Sequence, residues 1–253
     1  MDLGLQGRVA LVSAASSGLG LGVATALAAE GAAVSICART PATLAAAHAT
    51  VDAAGPGKVL SEVVDVTDHD AAAGWVRHSA EQLGGVDVLV ANTPGVTHGW
   101  AEDFAVADYR AALDSSLLPH VAMVLEAAPW LRREGFGRVV LVTSEAVREP
   151  APHNVLSGVA RVGVLAFARN LVHSFGSSGV TVNVLAPGYH ATPALKGPGG
   201  VTDLDELATQ VPLGRVGDAA DFGALAAFLA SRQAAFVTGA LLLADGGHTA
   251  GLV

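Results

Sequence analysis

Seven short, nearly continuous apolar runs punctuate the chain: Val9–Ser13, Ala33–Ala38, Val59–Val64, Val86–Ala91, Arg138–Thr143, Thr181–Leu185 and Leu241–Ala244. They do not alternate apolar with polar, as a strand with one wet face would. They fit parallel strands covered on both faces. Between them lie stretches of helical length: Leu19–Glu30, Pro41–Ala53, Asp68–Leu83, Asp103–Glu134, Asn154–Phe175 and Ala219–Ser231, with a short helix at Asp203–Val211. Strand and helix alternating so regularly predict an α/β fold, a doubly wound parallel seven-stranded sheet with helices on both faces. No linker, repeat or low-complexity tract divides residues 1–253, so one domain is expected. The irregular stretch Gly188–Thr202, rich in Gly and Pro, follows the sixth strand. Ligands of such sheets bind at the carboxyl ends of strands, so residues 188–212 are expected to form a lid-like insertion.

Composition narrows the function classes. The chain is 51% hydrophobic and 15% charged, with 30 glycines and 5% aromatics, which suits close helix–sheet packing and not disorder. Net charge is −9 and no Lys/Arg run exists, which argues against nucleic acid or an anionic membrane as partner. The single Cys37 excludes an internal disulfide and sits in an apolar run, as a small buried hydrophobe does. Met1-Asp2-Leu3 offers no basic n-region, and no uninterrupted apolar run reaches membrane-spanning length, so a cytoplasmic protein is expected.

The first strand runs into Ser13-Ala14-Ala15-Ser16-Ser17-Gly18-Leu19-Gly20 and then a helix. Gly18 and Gly20 let the backbone approach a pyrophosphate, and the helix amino terminus offers N–H groups and the positive end of a dipole. This segment resembles the Thr-Gly-x-x-x-Gly-x-Gly fingerprint of the short-chain dehydrogenase/reductase family, with Ser13 for the Thr and Ala14 for the first Gly. Further marks of that family follow in order. Asp65-Val66 resembles its adenine contact, Asn92 one Asn of its Asn-Asn-Ala-Gly motif, and Pro187-Gly188 with Thr192 its nicotinamide-gripping segment. Asp245-Gly246-Gly247 stands for its carboxyl-terminal Asp-Gly-Gly. The resemblance spans nearly the whole chain and implies a Rossmann fold binding a nicotinamide cofactor. At the end of the second strand, Ala38-Arg39-Thr40 supplies a cation and no carboxylate, which suits a 2′-phosphate and favours NADP(H).

In the family the chemistry is carried by a Ser, a Tyr-x-x-x-Lys on the next helix, and an Asn on the helix before. The resemblance aligns these with Ser144, Ser157, Arg161 and Ser116. An alkyl hydroxyl is far less acidic than a phenol, whose pKa is about 10, and Arg161 stays charged while offering a fork of donors. The Leu156-Ser157 dipeptide, Asn92-Thr93-Pro94-Gly95 and Leu117-Leu118-Pro119 resemble an atypical 3-oxoacyl-carrier-protein reductase-like branch that lacks the Tyr/Lys pair. Tyr189, His190, Glu145 and His153 are the polar groups nearest to replacing the missing proton donor, with Tyr189 and His190 ahead of Glu145. The scattered His48, His69, His78 and His248 show no ligand spacing, and no metal is assigned.

Three functions stay open. The first is an NADP(H)-dependent oxidoreductase acting on a carbonyl or alcohol in a small molecule, which Ala191, Pro193, Ala194 and Leu195 suggest is hydrophobic. The second is a non-redox, dehalogenase-like lyase or isomerase using Arg161 and Ser144 as an anion site. The third is a non-catalytic nucleotide-binding subunit. Helices Asp103–Glu134 and Asn154–Phe175 carry more apolar residues than a one-sided surface helix needs, and the ending Ala250-Gly251-Leu252-Val253 is apolar. In the family such helices pair between subunits, which implies a homo-oligomer, a tetramer.

Overall fold

A computed structural model describes residues 2–193, 195 and 203–251. Seven strands, β1 (Val9–Val12), β2 (Ala33–Ala38), β3 (Val59–Val63), β4 (Val88–Ala91), β5 (Arg138–Val142), β6 (Thr181–Pro187) and β7 (Leu241–Ala244), form one sheet in the order β3-β2-β1-β4-β5-β6-β7. Every pairing is parallel. Side chains alternate between the two faces with the period of a strand. In β1, Ala10 and Val12 join a core with Val23, Leu27, Phe222 and Leu229, while Val9 and Leu11 join one with Trp75, Met123 and Val164.

Helices α1 (Gly18–Ala29), α2 (Pro41–Asp52) and α8 (Ala219–Ala230) cover the first face; α3 (His69–Leu83), α5 (Leu118–Leu131) and α6 (Val155–Phe175) cover the second. Close approach of α1 to α8 requires glycine: a Cβ on Gly223 would lie 2.3 Å from the Gly22 carbonyl oxygen. Within α6, the buried stripe includes Leu156, Ser157, Ala160, Arg161, Val164 and Ala168. The one-turn spacing therefore puts Ser157 and Arg161 on the covered face rather than in solvent.

The helix expected over Asp103–Glu134 is two helices, α4 (Val106–Ser116) and α5. Pro119 stands in the first turn of α5. It has no N–H to continue α4, and its ring clashes with the preceding turn, so the chain breaks at Leu117. Asp103 lies in a separate 3₁₀ turn. Strand β4 begins two residues later than expected, although Asp87 still bonds both neighbours through its backbone, and its side chain accepts from the Val9 N–H. Strand β6 runs on to Pro187. Of the lid expected over 188–212, residues 194 and 196–202 lie outside the described residues, as do Leu252 and Val253. The described part returns to the body where His190 bridges Gly217 and continues as α7 (Leu204–Gln210), capped by Asp203.

Candidate active site

The strand order changes direction between β1 and β4, the crevice where doubly wound sheets take their ligands. Ser13 stitches the two strand ends together: its buried hydroxyl donates to the Asn92 carbonyl at 2.7 Å and accepts from the Asn92 N–H at 2.8 Å. The next residue, Ala14, holds φ at 49°, the only positive φ outside glycine among the described residues. Its carbonyl forces the glycine at position 20, where a Cβ would sit 2.5 Å from that oxygen. Gly18 has φ +56°, and a Cβ there would press on the Thr192 side chain at 3.2 Å. Ser17 makes no side-chain capping bond to α1, so the first-turn N–H groups stay available to a ligand.

A cavity of about 540 Å³ opens at this turn. Ser16, Ser17, Gly18, Leu19, Arg39, Thr40 and Val66 line one end; Asn92, Thr93, Pro94, Thr143, Arg161, Pro187 and Thr192 line the other. Among the described residues, its only charged lining side chains are the two arginines. Arg39 is largely exposed and sits 3.9 Å from the Asp65 carboxylate. Burial pushes the Asp65 carboxyl up, but two bonds from Thr67 and the Arg39 charge outweigh it and hold the group below its ordinary range. Asp65, Ser13, Gly20 and Gly188 stand behind the wall: they shape it and do not line it.

At the other end, Arg161 is buried. It donates to the Thr143 carbonyl at 2.9 Å, the Val142 carbonyl at 3.4 Å and the Pro94 carbonyl at 3.3 Å. Its Nε has no partner, and neither do the buried hydroxyls of Thr93, Ser116 and Thr143. Burial lowers its pKa from 12.5 to about 10, so it remains a cation at neutral pH without a carboxylate beside it among the described residues. Ser157 lies one turn before it on α6, buried. Ser144 follows Thr143, half-buried, and its hydroxyl accepts from the Ala146 N–H at 3.3 Å. Ser144, Ser157 and Ser116 do not line the cavity; Ser157 is one turn from Arg161 on α6, and Ser144 follows Thr143, whose carbonyl Arg161 contacts.

The structure adds His120, a residue sequence reasoning passed over. It is fully buried, with Nδ1 3.0 Å from the Ser116 carbonyl and Nε2 3.2 Å from the Val142 carbonyl that Arg161 also contacts. Burial, reinforced by the Arg161 charge, lowers its pKa to about 4. The available signal was a lone histidine four residues after Ser116 in an otherwise apolar stretch.

Helix α6 carries neither tyrosine nor lysine. Among the groups expected to replace the phenol, Tyr189 has its pKa raised, first by burial and then by the Glu145 charge, the direction opposite to what an easily formed phenolate needs. His190 turns away into a second cavity and packs on Phe222. His153 sits edge-on to His98 at 6.1 Å in the loops joined by the Gly99–Asn154 bridge. Glu145 lies next to Ser144 with its carboxyl shielded, and burial raises its pKa.

A family model described as enoyl-(acyl carrier protein) reductase matches residues 13–249. The 2-dehydro-3-deoxy-L-rhamnonate dehydrogenase (NAD(+)) of Sphingomonas sp. strain SKA58 is 31% identical over 96% of both chains. The cis-4-hydroxycyclohexanecarboxylate dehydrogenase of Sinomonas cyclohexanicum is 34% identical over 96% of this chain and 97% of its own. The structure of L-sorbose reductase from Gluconobacter frateurii, complexed with NADPH and L-sorbose, superposes with a TM-score of 0.93 at 25% identity, covering 100% of both chains.

Proposed function

The chain belongs to the short-chain dehydrogenase/reductase family of oxidoreductases, and on that premise we propose that it binds NADP(H) and interconverts a carbonyl and an alcohol in a small molecule, with Ser157 and Arg161 at the positions of the family's tyrosine and lysine. The observation that carries this reading is the cavity itself, which runs from the amino end of α1 to Arg161 with an arginine at each end and, among the described residues, no carboxylate in its lining. In a protein of net charge −9, that placement selects for a polyanionic ligand.

The N–H groups at Ser16, Ser17, Gly18 and Leu19 would hold the pyrophosphate, with Arg39 and Thr40 at the 2′-phosphate. Asn92, Pro187, Gly188 and Thr192 would hold the nicotinamide end, and Asp65-Val66 would close over the adenine. Bound there, the nicotinamide supplies hydride chemistry. Arg161 contributes a fixed positive charge for the oxygen that becomes negative, Ser144 orients that oxygen, and Ser157 and Ser116 fill the space beside the guanidinium. Ser157 does not serve as the general acid, since its hydroxyl titrates far above neutral pH. Leu118, Leu125, Val159 and Val162 on α5 and α6 are apolar and exposed, which supports burial of that face in a homotetramer.

A second reading, nucleotide binding without redox turnover, is favoured by one observation: three Arg161 donor bonds already go to backbone carbonyls. Fluorescence titration with NADPH and NADH, followed by single-turnover reduction of a ketone and aldehyde panel, separates the two. The redox reading expects tighter NADPH binding and measurable NADPH oxidation. Binding without oxidation of any panel member supports the second reading, and equal or tighter NADH binding contradicts the NADP(H) assignment.

A further inference from the structure

A second cluster of titratable side chains lies at the same carboxyl edge of the sheet, outside the Arg161 cavity. Glu145 Oε2 and His248 Nδ1 approach to 3.1 Å. Both atoms are buried, and among the described residues neither makes a well-aligned hydrogen bond, so this approach is the polar contact each has. The Tyr189 ring packs on the His248 ring with centroids 4.8 Å apart.

Further ties flank this pair. Arg148 Nη2 donates to the Gly251 carbonyl at 2.8 Å, and the Ala250 N–H donates to Glu149 at 2.7 Å. The Asp245 carboxylate accepts from the Gly247 N–H, the Thr249 N–H and the Thr249 hydroxyl at 3.0, 2.9 and 2.7 Å. Residues 245–251 thus form a folded clasp laid along the turn that starts at Ser144. Gly188 closes it from the third side, because a Cβ there would sit 2.6 Å from Glu145 Oε2.

We propose that His248 is a positioning residue that acts through Glu145 to hold the Ser144 turn in place, so that the carboxyl-terminal segment is a working part of the active site. A carboxylate withdrawn from water under Gly188 needs a compensating donor or cation. His248 is the imidazole within reach, while the Asp245 and Glu149 charges both disfavour a second anion nearby. Tyr189 covers the imidazole face, and Arg148, on the same turn, is tied to Gly251. The contact needs Glu145 in its ionised form, as the acceptor facing the imidazole. It is lost as pH falls through the carboxyl's titration, which burial moves upward. The clasp therefore holds best above the carboxyl's titration. This inference rests on the reading of Ser144 as the group that orients the substrate oxygen, but its test needs no turnover.

Hydrogen–deuterium exchange of the full chain, corrected for intrinsic rate, is followed on peptides covering residues 143–150 from about pH 5 to about pH 8. The wild type is compared with His248→Gln, His248→Ala and Glu145→Gln, and NADPH affinity is read in parallel by fluorescence. The amides of 145–148 are expected to exchange about tenfold faster in His248→Ala and Glu145→Gln, with α8 peptides and NADPH affinity unchanged. Protection in the wild type should fall as the pH is lowered through the carboxyl's titration, while Glu145→Gln, which cannot ionise, should show no such fall, and His248→Gln, which keeps a donor, should retain part of the protection. Unchanged exchange over 143–150 in His248→Ala, or protection independent of pH in the wild type, overturns the proposal. If His248→Ala destabilises the whole fold, the pH profiles of the wild type and Glu145→Gln decide alone. A wild type that binds no NADPH but loses this protection on acidification refutes the cofactor reading and leaves the clasp standing.

Discussion

The Arg161 guanidinium donates to the Thr143 carbonyl at 2.9 Å, so the cation at the cavity floor and the strand end that carries Ser144 are tied by one backbone contact. The same guanidinium reaches Pro94 in the loop after β4. Arg161 thus joins three elements whose ends form the chemical half of the site, in addition to supplying charge.

Replacing it separates the two roles. Arg161→Ala leaves the Thr143 and Pro94 carbonyls without their donor, and the cost should be about 2–4 kcal/mol in urea unfolding. Arg161→Lys keeps the charge but cannot span three carbonyls with one ammonium, so it should cost about half as much. If the charge serves the reaction, Arg161→Lys retains a measurable fraction of NADPH oxidation while Arg161→Ala loses it. Stability equal to wild type in Arg161→Ala would contradict the bracing role.

Arg39 should govern the choice of dinucleotide. Its side chain is largely exposed and its nearest carboxylate, Asp65, stands 3.9 Å away, too far for the close bidentate pair that would occupy it. Arg39→Ala is expected to weaken NADPH binding by about 10- to 100-fold, or about 1.4–2.8 kcal/mol, and to leave NADH binding nearly unchanged. Fluorescence titration of both nucleotides reads the difference directly. A parallel loss for both would place Arg39 outside the 2′-phosphate site.

The strand positions and the nucleotide turn were legible because each rests on a local rule, a continuous apolar run or a glycine forced by close approach. The break at Leu117 was written in Pro119, but the apolar pattern runs through it, and periodicity outweighed the missing N–H. His120 and the Glu145–His248 contact had no such signature. His120 gains its place from strand β5 passing over α5, and His248 meets Glu145 across 103 residues of chain only because β5 and β7 flank β6. Burial and charge at these sites are properties of tertiary neighbours, and a single sequence does not display them.

The nucleotide turn contains a strained residue whose relief is measurable. Ala14 holds φ at 49°, a conformation costing a non-glycine residue about 1–2 kcal/mol. Glycine there removes that cost but adds freedom to the unfolded chain worth about 0.4–1 kcal/mol. Ala14→Gly should therefore stabilise the protein by about 0.5–1 kcal/mol with NADPH binding retained. Gly20→Ala is the opposite case: its Cβ meets the Ala14 carbonyl at 2.5 Å, so it should destabilise the fold by about 2 kcal/mol or more and abolish NADPH binding. Thermal unfolding of the two variants should shift in opposite directions, and a shared direction would refute the strain argument.

His120 should set part of the acid limb of stability. In the folded chain it is neutral, with a pKa lowered from 6.5 to about 4 by burial and by Arg161. The unfolded chain takes up a proton as pH falls below about 6.5, and the folded chain does so only near 4. Between those values the unfolded state binds more protons, so stability rises with pH in this window and is lost as the solution is acidified through it. The shift corresponds to about 3 kcal/mol when the whole window is crossed. His98 and His190, whose pKa values burial also lowers, contribute in the same direction, so the comparison must be made against a variant. His120→Gln keeps a polar side chain but does not titrate. It should be less stable than wild type at neutral pH, because Ser116 and Val142 lose a shaped partner, yet lose about 3 kcal/mol less on going from pH 7 to pH 4. Urea unfolding of both proteins at several pH values gives the two curves. Parallel curves would mean that His120 takes up its proton in the fold at the same pH as in the unfolded chain, which would place a second positive charge beside Arg161 below that pH and require the two carbonyls to stabilise it.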